Sequence, residues 1–264
     1  MMLAWPTARH IYLSPHLDDA VLSCGGMIYR QAQSGEPVAV ITLFAGSPPT
    51  GHRLSPFAES FHKRWQASAP PGPDFSDPPA VRRTEDIRAF ATLNPAIQVI
   101  HLPLLDCIYR VDPTSGEALY ASEEALLGVV KPGDPAPDAL REAPPLPPDA
   151  ILYVPLSVGG HVDHQVVRSA VTGWDVPPHQ VRYYTDYPYA AQPGALEAMI
   201  GDGAGWESAI IPLDEEALAA KIEAISQHAS QIRTFWTDTD SMAAALRDYT
   251  HQVGGEQLWL PIDA

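Results

Sequence analysis

The sequence predicts an α/β fold, a Rossmann-like three-layer α/β/α arrangement around a mostly parallel sheet, from three observations. Apolar runs of strand length alternate with helical stretches along the chain, the pattern of a parallel sheet covered on both faces. The run Pro37–Phe44 (PVAVITLF) has the β-branched richness of a strand buried on both sides. Nothing repeats at a period of 20–50 residues, which removes solenoids and propellers. With 264 residues, 45% of them hydrophobic, the chain can bury a real core, and residues 1–264 read as a single domain.

The elements follow in order. His10–Ser14 (HIYLS) reads as a buried strand that ends at Pro15. Asp19–Ser34 carries Ala20, Val21, Cys24, Met27, Ile28 and Ala32 at helical spacing, and Gly35 stops it. After the second strand, residues 46–80 hold eight prolines and read as a long loop, of a length that is usually a functional lid or disordered. Val81–Leu93 resumes a helix, and Ala96–Leu102 gives a third strand. A second proline-rich loop, 131–148, precedes the strand Ala150–Pro155 (AILYVP) and the helical Val162–Val171. Gln180–Thr185 and Glu207–Leu213 read as later strands, and Asp214 as the N-cap of a long helix to about Phe235. In such folds ligands bind outside the C-terminal ends of the strands, at a switch point.

Composition narrows the function. Lys and Arg number 16 against 32 Asp and Glu, a formal charge of −16 that repels phosphate backbones and argues against nucleic acid. No apolar run approaches the roughly 18 residues of a membrane span, and MMLAWPTARH lacks the basic and apolar regions of a secretory signal. The expectation is a cytoplasmic protein with a small-molecule substrate; a homo-oligomer is compatible with this composition. Cys24 and Cys107 make neither a disulfide framework nor a thiolate zinc site and read as small buried hydrophobes.

Two polar clusters stand at strand-to-helix corners. In Ser14-Pro15-His16-Leu17-Asp18-Asp19, His16 and Asp19 are three apart at a helix entrance, so their side chains can converge on one metal ion, a pairing that zinc accepts. Asp18 projects beside that point, where a carboxylate can take a proton from an activated water. Both aspartates would also suit a plain helix N-terminus. In Gly159-Gly160-His161-Val162-Asp163-His164, one histidine would be the third ligand. The other would stabilise the oxyanion of a tetrahedral intermediate, with Asp163 holding its tautomer. Two such clusters at matching corners of one sheet point to a catalytic metal site. A His₂Asp set accepts Zn²⁺ and also Fe²⁺ or neighbouring divalent ions.

The PHLDD and HVDH pair resembles the signatures of the PIG-L, or LmbE-like, family, usually HPDDE near the N-terminus and HxxH later. That resemblance implies a Rossmann-like deacetylase that removes acetyl groups from N-acetylglucosamine-type substrates with a divalent metal, usually zinc. By position it implies His16, Asp19 and His164 as metal ligands, Asp18 as general base, and His161 as electrostatic catalyst positioned by Asp163. Arg82-Arg83-Thr84-Glu85 resembles the family's R-x-x-E helix start, with Arg82 reaching substrate, and Lys221–Gln231 resembles its K…Y-x-S-Q stretch. Leu17, Ala20 and His228 depart from the usual Pro, Glu and Tyr.

The expected activity is therefore removal of an N-acetyl group from an aminosugar or its conjugate, with segment 46–80 selecting substrate. The alternatives are cleavage of another amide, such as a sugar–thiol conjugate, or of an ester, or a non-catalytic metal-containing sugar-binding protein. No G-x-G-x-x-G follows the first strand and no G-x-S-x-G occurs, which argues against a dinucleotide site and a serine hydrolase.

Overall fold

Five of the expected strands pair in parallel in the computed structural model, which describes residues 3–262. They are β1 (His10–Ser14), β2 (Val38–Thr42), β3 (Gln98–His101), β4 (Ile151–Pro155) and β5 (Val181–Tyr184). An antiparallel pair, β6 (Trp206–Ile211) and β7 (Glu256–Pro261), extends one edge to give the order β3-β2-β1-β4-β5-β7-β6. The order runs outward in both directions from the β1/β4 pair, so the switch point lies where those two strands end. There the chain places both polar clusters.

The helices are α1 (Asp19–Gln33), α2 (Pro56–Ser68), α3 (Pro78–Leu93), α4 (Glu123–Leu126), α5 (Pro135–Ala139), α6 (Val162–Gly173), α7 (Ala195–Ile200), α8 (Glu215–Ser226), α9 (Ala229–Phe235) and α10 (Thr239–Val253). Side chains alternate across the sheet with the two-residue period of a strand. Tyr12, Val38 and Val40 pack under Val21, Phe90 and Ile225 from α1, α3 and α8. Ile11, Leu13, Ile41, Leu152 and Val154 pack on the other face with Val166 and Val167 of α6. A third apolar cluster lies outside these layers, with Trp65 of α2, Ile108, Tyr109 and Tyr120 of the β3–β4 connection, Leu126 of α4 and Val162.

The proline-rich segments are not the bare loops the sequence suggested. Segment 46–80 contains α2, opened by Pro56 and capped by Ser55, whose Oγ accepts a hydrogen bond from the Ala58 N–H. Pro78 and Pro79 open α3, and Pro135 opens α5. Proline is tolerated in a first helical turn because its missing N–H would have no intrahelical partner there. These prolines therefore mark helix starts. The long helix expected over 214–235 is broken between Ser226 and Ala229 into α8 and α9, and α10 and β7 follow. No helix among the described residues is long and apolar enough to cross a membrane.

Candidate metal centre and active site

The corner after β1 is held by Ser14. Its Oγ accepts from the Ala20 N–H and donates to the His16 carbonyl, which does the work of a helix cap. Asp18, at the N-cap position, makes no capping hydrogen bond, so its carboxylate is free for other use. Asp19 turns back: its Oδ2 accepts from the His16 N–H at 2.7 Å and lies 3.1 Å from His16 Nδ1. The corner after β4 presents the second cluster. Gly159 has φ +84°, and a Cβ there would meet the Tyr189 ring at 2.7 Å, so only glycine lets that ring close over the site. Tyr189 then stands edge-on to His164, centroids 5.8 Å apart.

His164 reaches the same Asp19 oxygen, its Nε2 3.3 Å from Oδ2. Each of these two histidines has a second carboxylate behind it. His16 Nε2 donates to Asp163 Oδ2 at 2.9 Å, and His164 Nδ1 donates to Asp186 Oδ1 at 2.7 Å. With the protons on those outer nitrogens, lone pairs of His16 Nδ1 and His164 Nε2 face Asp19 Oδ2. Three electron-rich atoms buried together repel unless extra protons or a cation sits among them. The separation of 3.3 Å equals, and that of 3.1 Å falls slightly short of, the edge of about 3.3–3.6 Å of a tetrahedron with ligand distances of about 2.0–2.2 Å. His164 Nε2 is buried without a hydrogen-bond partner, as a metal ligand should be before its ion is counted. The donor set therefore fits a divalent metal, and carboxylates behind both histidines are the usual support for such ligands.

One expected role is corrected. The Asp163 carboxylate does not orient His161: its Oδ2 holds His16 and accepts from the Cys107 N–H, and its Oδ1 is paired with Arg110. Burial alone would raise Asp163, but first Arg110 and then His16 hold it well below the usual carboxylate range. His161 is positioned instead by the backbone, its Nδ1 accepting the Asp163 N–H at 3.2 Å. That acceptor role leaves the ring proton on Nε2, so a neutral His161 is a hydrogen-bond donor toward the cavity it lines. Nitrogens of His16, His161 and His164 lie within 4.8 Å of one another.

Asp18 is 5% exposed, and burial pushes its carboxyl up to about 6, with Arg82 opposing. Arg82 lies in the same cavity, its Nη2 3.5 Å from Asp18 Oδ2 and its Nη1 3.9 Å from Asp106 Oδ2, with its guanidinium over the Trp65 ring at 4.6 Å. It is thus a buried pocket residue rather than a surface charge paired along its helix. The R-x-x-E and S-Q matches turn out to be one device. Glu85 accepts from the N–H and Oγ of Ser230, tying α3 to α9 and leaving Arg82 and Gln231 on the cavity wall.

Sequence reading gave no site role to Asp106, Asp186 or Arg110. Asp106 and Asp186 do stand just beyond β3 and β5, where polar residues face the crevice; that position was the available signal. Arg110 had no local one, whereas Gln231 closes the S-Q match. Of the aromatics from Tyr183 to Tyr189, Tyr183, Tyr184 and Tyr187 are buried in the core clusters and Tyr189 reaches the cavity.

Comparison with known proteins agrees with this geometry. The chain is 27% identical over 190 residues to a 2'-N-acetylparomamine deacetylase of Niallia circulans, covering 69% of this chain and 68% of that enzyme. It is 28% identical to a protein of the same name from Streptomyces fradiae, covering 72% of this chain and 60% of that enzyme. Its structure superposes on the zinc-inhibited form of the teicoplanin deacetylase Orf2 with a TM-score of 0.71 and 27% identity, covering 97% of this chain and 98% of that one. The family model described as PIG-L, GlcNAc-PI de-N-acetylase, matches residues 11–174, which hold all of β1 but His10, the whole of β4 and both polar clusters. The chain belongs to the PIG-L family.

Proposed function

We propose that this chain is a zinc-dependent de-N-acetylase that acts in the cytoplasm on an N-acetylglucosamine-type sugar or its conjugate. His16, Asp19 and His164 would hold the ion, and the observation that carries the reading is the convergence of two carboxylate-backed histidines on one Asp19 oxygen beside Asp18, which makes no capping hydrogen bond. The names of its relatives support an N-acetylated aminosugar as substrate, since they describe deacetylases of 2'-N-acetylparomamine and of teicoplanin.

When bound, zinc supplies Lewis acidity that polarises the acetyl carbonyl. Asp18 takes a proton from water as its oxygen attacks the carbonyl carbon. The tetrahedral oxyanion accepts a hydrogen bond from His161 Nε2–H, a contribution whose loss typically costs ~10²–10³ in rate. The C–N bond then breaks, and the amine leaves with the proton held by Asp18, giving acetate and a free aminosugar. Arg82, beside Asp18 and stacked on Trp65, orients the sugar.

The test is acetate release by zinc-loaded protein from N-acetylglucosamine compounds spanning free sugar, oligomers and glycosides. Release that disappears on chelation and returns with zinc is the expected result. No release from a protein shown by elemental analysis to hold one zinc would overturn the deacetylase reading, and failure to bind any divalent metal would overturn the ligand set.

A further inference from the structure

A second cavity, a groove of about 710 Å³, shares no lining residue with the catalytic one. The loop after β4 parts them: Gly160 lines the groove and His161 lines the catalytic cavity. Volumes of this order hold small-molecule ligands. One wall is α6, whose Gln165, Arg168, Ser169 and Thr172 stand at the spacings of a single helix face. Met199 of α7 also lines the groove.

Arg168 is the only charged residue in that lining. Its Nη1 donates to the Leu156 carbonyl at 2.9 Å and touches Met199 Sδ. Its guanidinium carbon lies 5.8 Å from the Tyr183 ring centre and 5.5 Å from that of Trp206. Those contacts hold the side chain in place but bring it no counter-ion. Burial pushes its pKa down, and the one carboxylate that opposes this, Asp186, is committed to His164 and the Val158 N–H. A cation taken partly out of water without an anion is unfavourable, and it stands out in a chain with 32 acidic residues to 16 basic ones. Arg168 Nε and Nη2 make no hydrogen bond among the described residues and, unlike Arg82 Nε and Arg110 Nε, are not cut off from solvent. The edge of the guanidinium that grips an oxyanion is therefore free and reachable.

We infer that the groove is a second binding site, for a small carboxylate that also carries hydroxyl groups. Nε and Nη2 offer the two parallel N–H donors that match the two oxygens of a carboxylate. A monoanion is favoured over a phosphate because a single cation faces it, while the chain's net charge of −16 repels a dianion more strongly. The hydroxyls follow from the neighbours on the same helix face. Gln165 Nε2 gives its hydrogens to the Gly128 and Gly160 carbonyls, at 2.6 and 2.5 Å, and Thr172 Oγ1 donates to the Arg168 carbonyl at 3.0 Å. What each side chain has left is an acceptor, and ligand hydroxyls are suitable donors to it. None of this depends on the reaction at the metal centre.

The probe is shikimate, a ring carboxylate bearing hydroxyls, titrated into zinc-loaded protein and followed by NMR, with the Arg168 Nε–H signal assigned by its loss in Arg168→Met. Shikimate is expected to move that signal and the amide signals of Gly160, Ser169 and Gly173 saturably. It should bind there at least about tenfold more tightly than its uncharged methyl ester, and more tightly than inorganic phosphate at the same ionic strength. Thr172→Glu changes an exposed residue and places a carboxylate four positions from Arg168, within reach of its guanidinium. That variant should weaken shikimate in the groove at least about tenfold, while any shikimate held at the metal centre still moves signals there. Equal affinities of acid and ester, tighter binding of phosphate, or an unchanged affinity in Thr172→Glu would each overturn the inference. So would the same shifts produced by sodium chloride at matched concentration, since screening alone would then explain them.

Discussion

Two clusters of buried charge in this molecule look alike by composition and differ in how they close. The first joins Lys221 of α8 to Glu256 of β7. Glu256 accepts from Lys221 Nζ at 2.7 Å, from the Gly26 N–H at 2.9 Å and from the Met27 N–H at 2.7 Å, binding α8 and β7 to the middle of α1. No side-chain atom of that pair is among the buried unpaired ones in the described residues. The second cluster, at the ends of β1 and β4, leaves His164 Nε2, Arg82 Nε and Trp65 Nε1 unpaired, though all three residues are buried. A structural cluster satisfies itself, because each unmet buried polar group costs stability. In the function proposed above, the missing partner of His164 Nε2 is the metal. The family-like Lys221 belongs to the first kind; its match in the sequence marks a tie between layers, not a reacting group.

The largest way to break this contrast is Asp18→Asn. A general base of this kind contributes about 10²–10⁴ in rate, so acetate release should fall by that factor while the zinc content per chain and the melting temperature stay close to those of the unmodified protein. A smaller loss, within about threefold, would move Asp18 out of the mechanism. In the closed cluster the effects should reverse. Lys221→Met leaves Glu256 buried and uncompensated, for which about 3–5 kcal/mol of stability is expected, read in urea unfolding. Acetate release per folded molecule should hold, and a loss of turnover larger than the folded fraction explains would place Lys221 in the site after all.

The same contrast accounts for what was legible in the sequence. Strand-to-helix corners are local, so His10–Ser14 followed by PHLDD and Ile151–Pro155 followed by GGHVDH could be read as strand, turn and candidate ligand from consecutive residues. The partners that complete the site are 22 to 147 residues away in sequence, as with His164 and Asp186 or His16 and Asp163, and no local pattern names them. This is also why Asp163 was given the wrong histidine: sequence proximity favoured His161, whereas the fold carries its carboxylate across to His16. Prolines misled in the opposite way. Read as loop formers, they concealed α2, although Ser55-Pro56 is a helix start with its cap in place. At the chain's end, α10 carried readable signals in its Asp238–Ser241 capping box and Gly254 stop, while β7 depended on a pairing with β6 and β5 across the sheet.

His228 extends the comparison, as a buried group that neither cluster satisfies. It is 1% exposed, neither ring nitrogen has a hydrogen-bond partner, and Asp86 Oδ1 lies 4.0 Å from Nε2. Burial lowers its pKa to about 4; Asp86 works against that and Arg82 adds to it. In the unfolded chain a histidine titrates near ~6.5. Below that pH the unfolded state gains a proton that the folded state refuses, so stability declines as pH falls from about 6.5 and levels off below about 4. The shift corresponds to about 3 kcal/mol. A His228→Leu variant should lack this share of the acid loss when urea unfolding is compared at pH 7 and pH 4. Equal losses in the two proteins would mean that His228 is hydrated and titrates normally.

The smallest effect expected sharpens the comparison most, because it acts on a group that touches neither substrate nor metal. Asp186 accepts His164 Nδ1–H at 2.7 Å with one oxygen and the Val158 N–H at 2.9 Å with the other, so it fixes both the tautomer of the ring and the loop that carries it. Asp186→Asn keeps an oxygen that can accept from one of these donors but removes the negative charge that makes the imidazole a better ligand. Losses from such changes run about 10–100-fold in metal affinity. With the hydrogen bond to the ring kept, the lower end, about tenfold, is expected in competition with a chelator of known zinc affinity. If His164 were an oxyanion donor rather than a ligand, the same substitution would slow acetate release at saturating zinc and leave the affinity for zinc where it was. The two readouts therefore assign His164, and with it the boundary between what binds the metal and what meets the substrate.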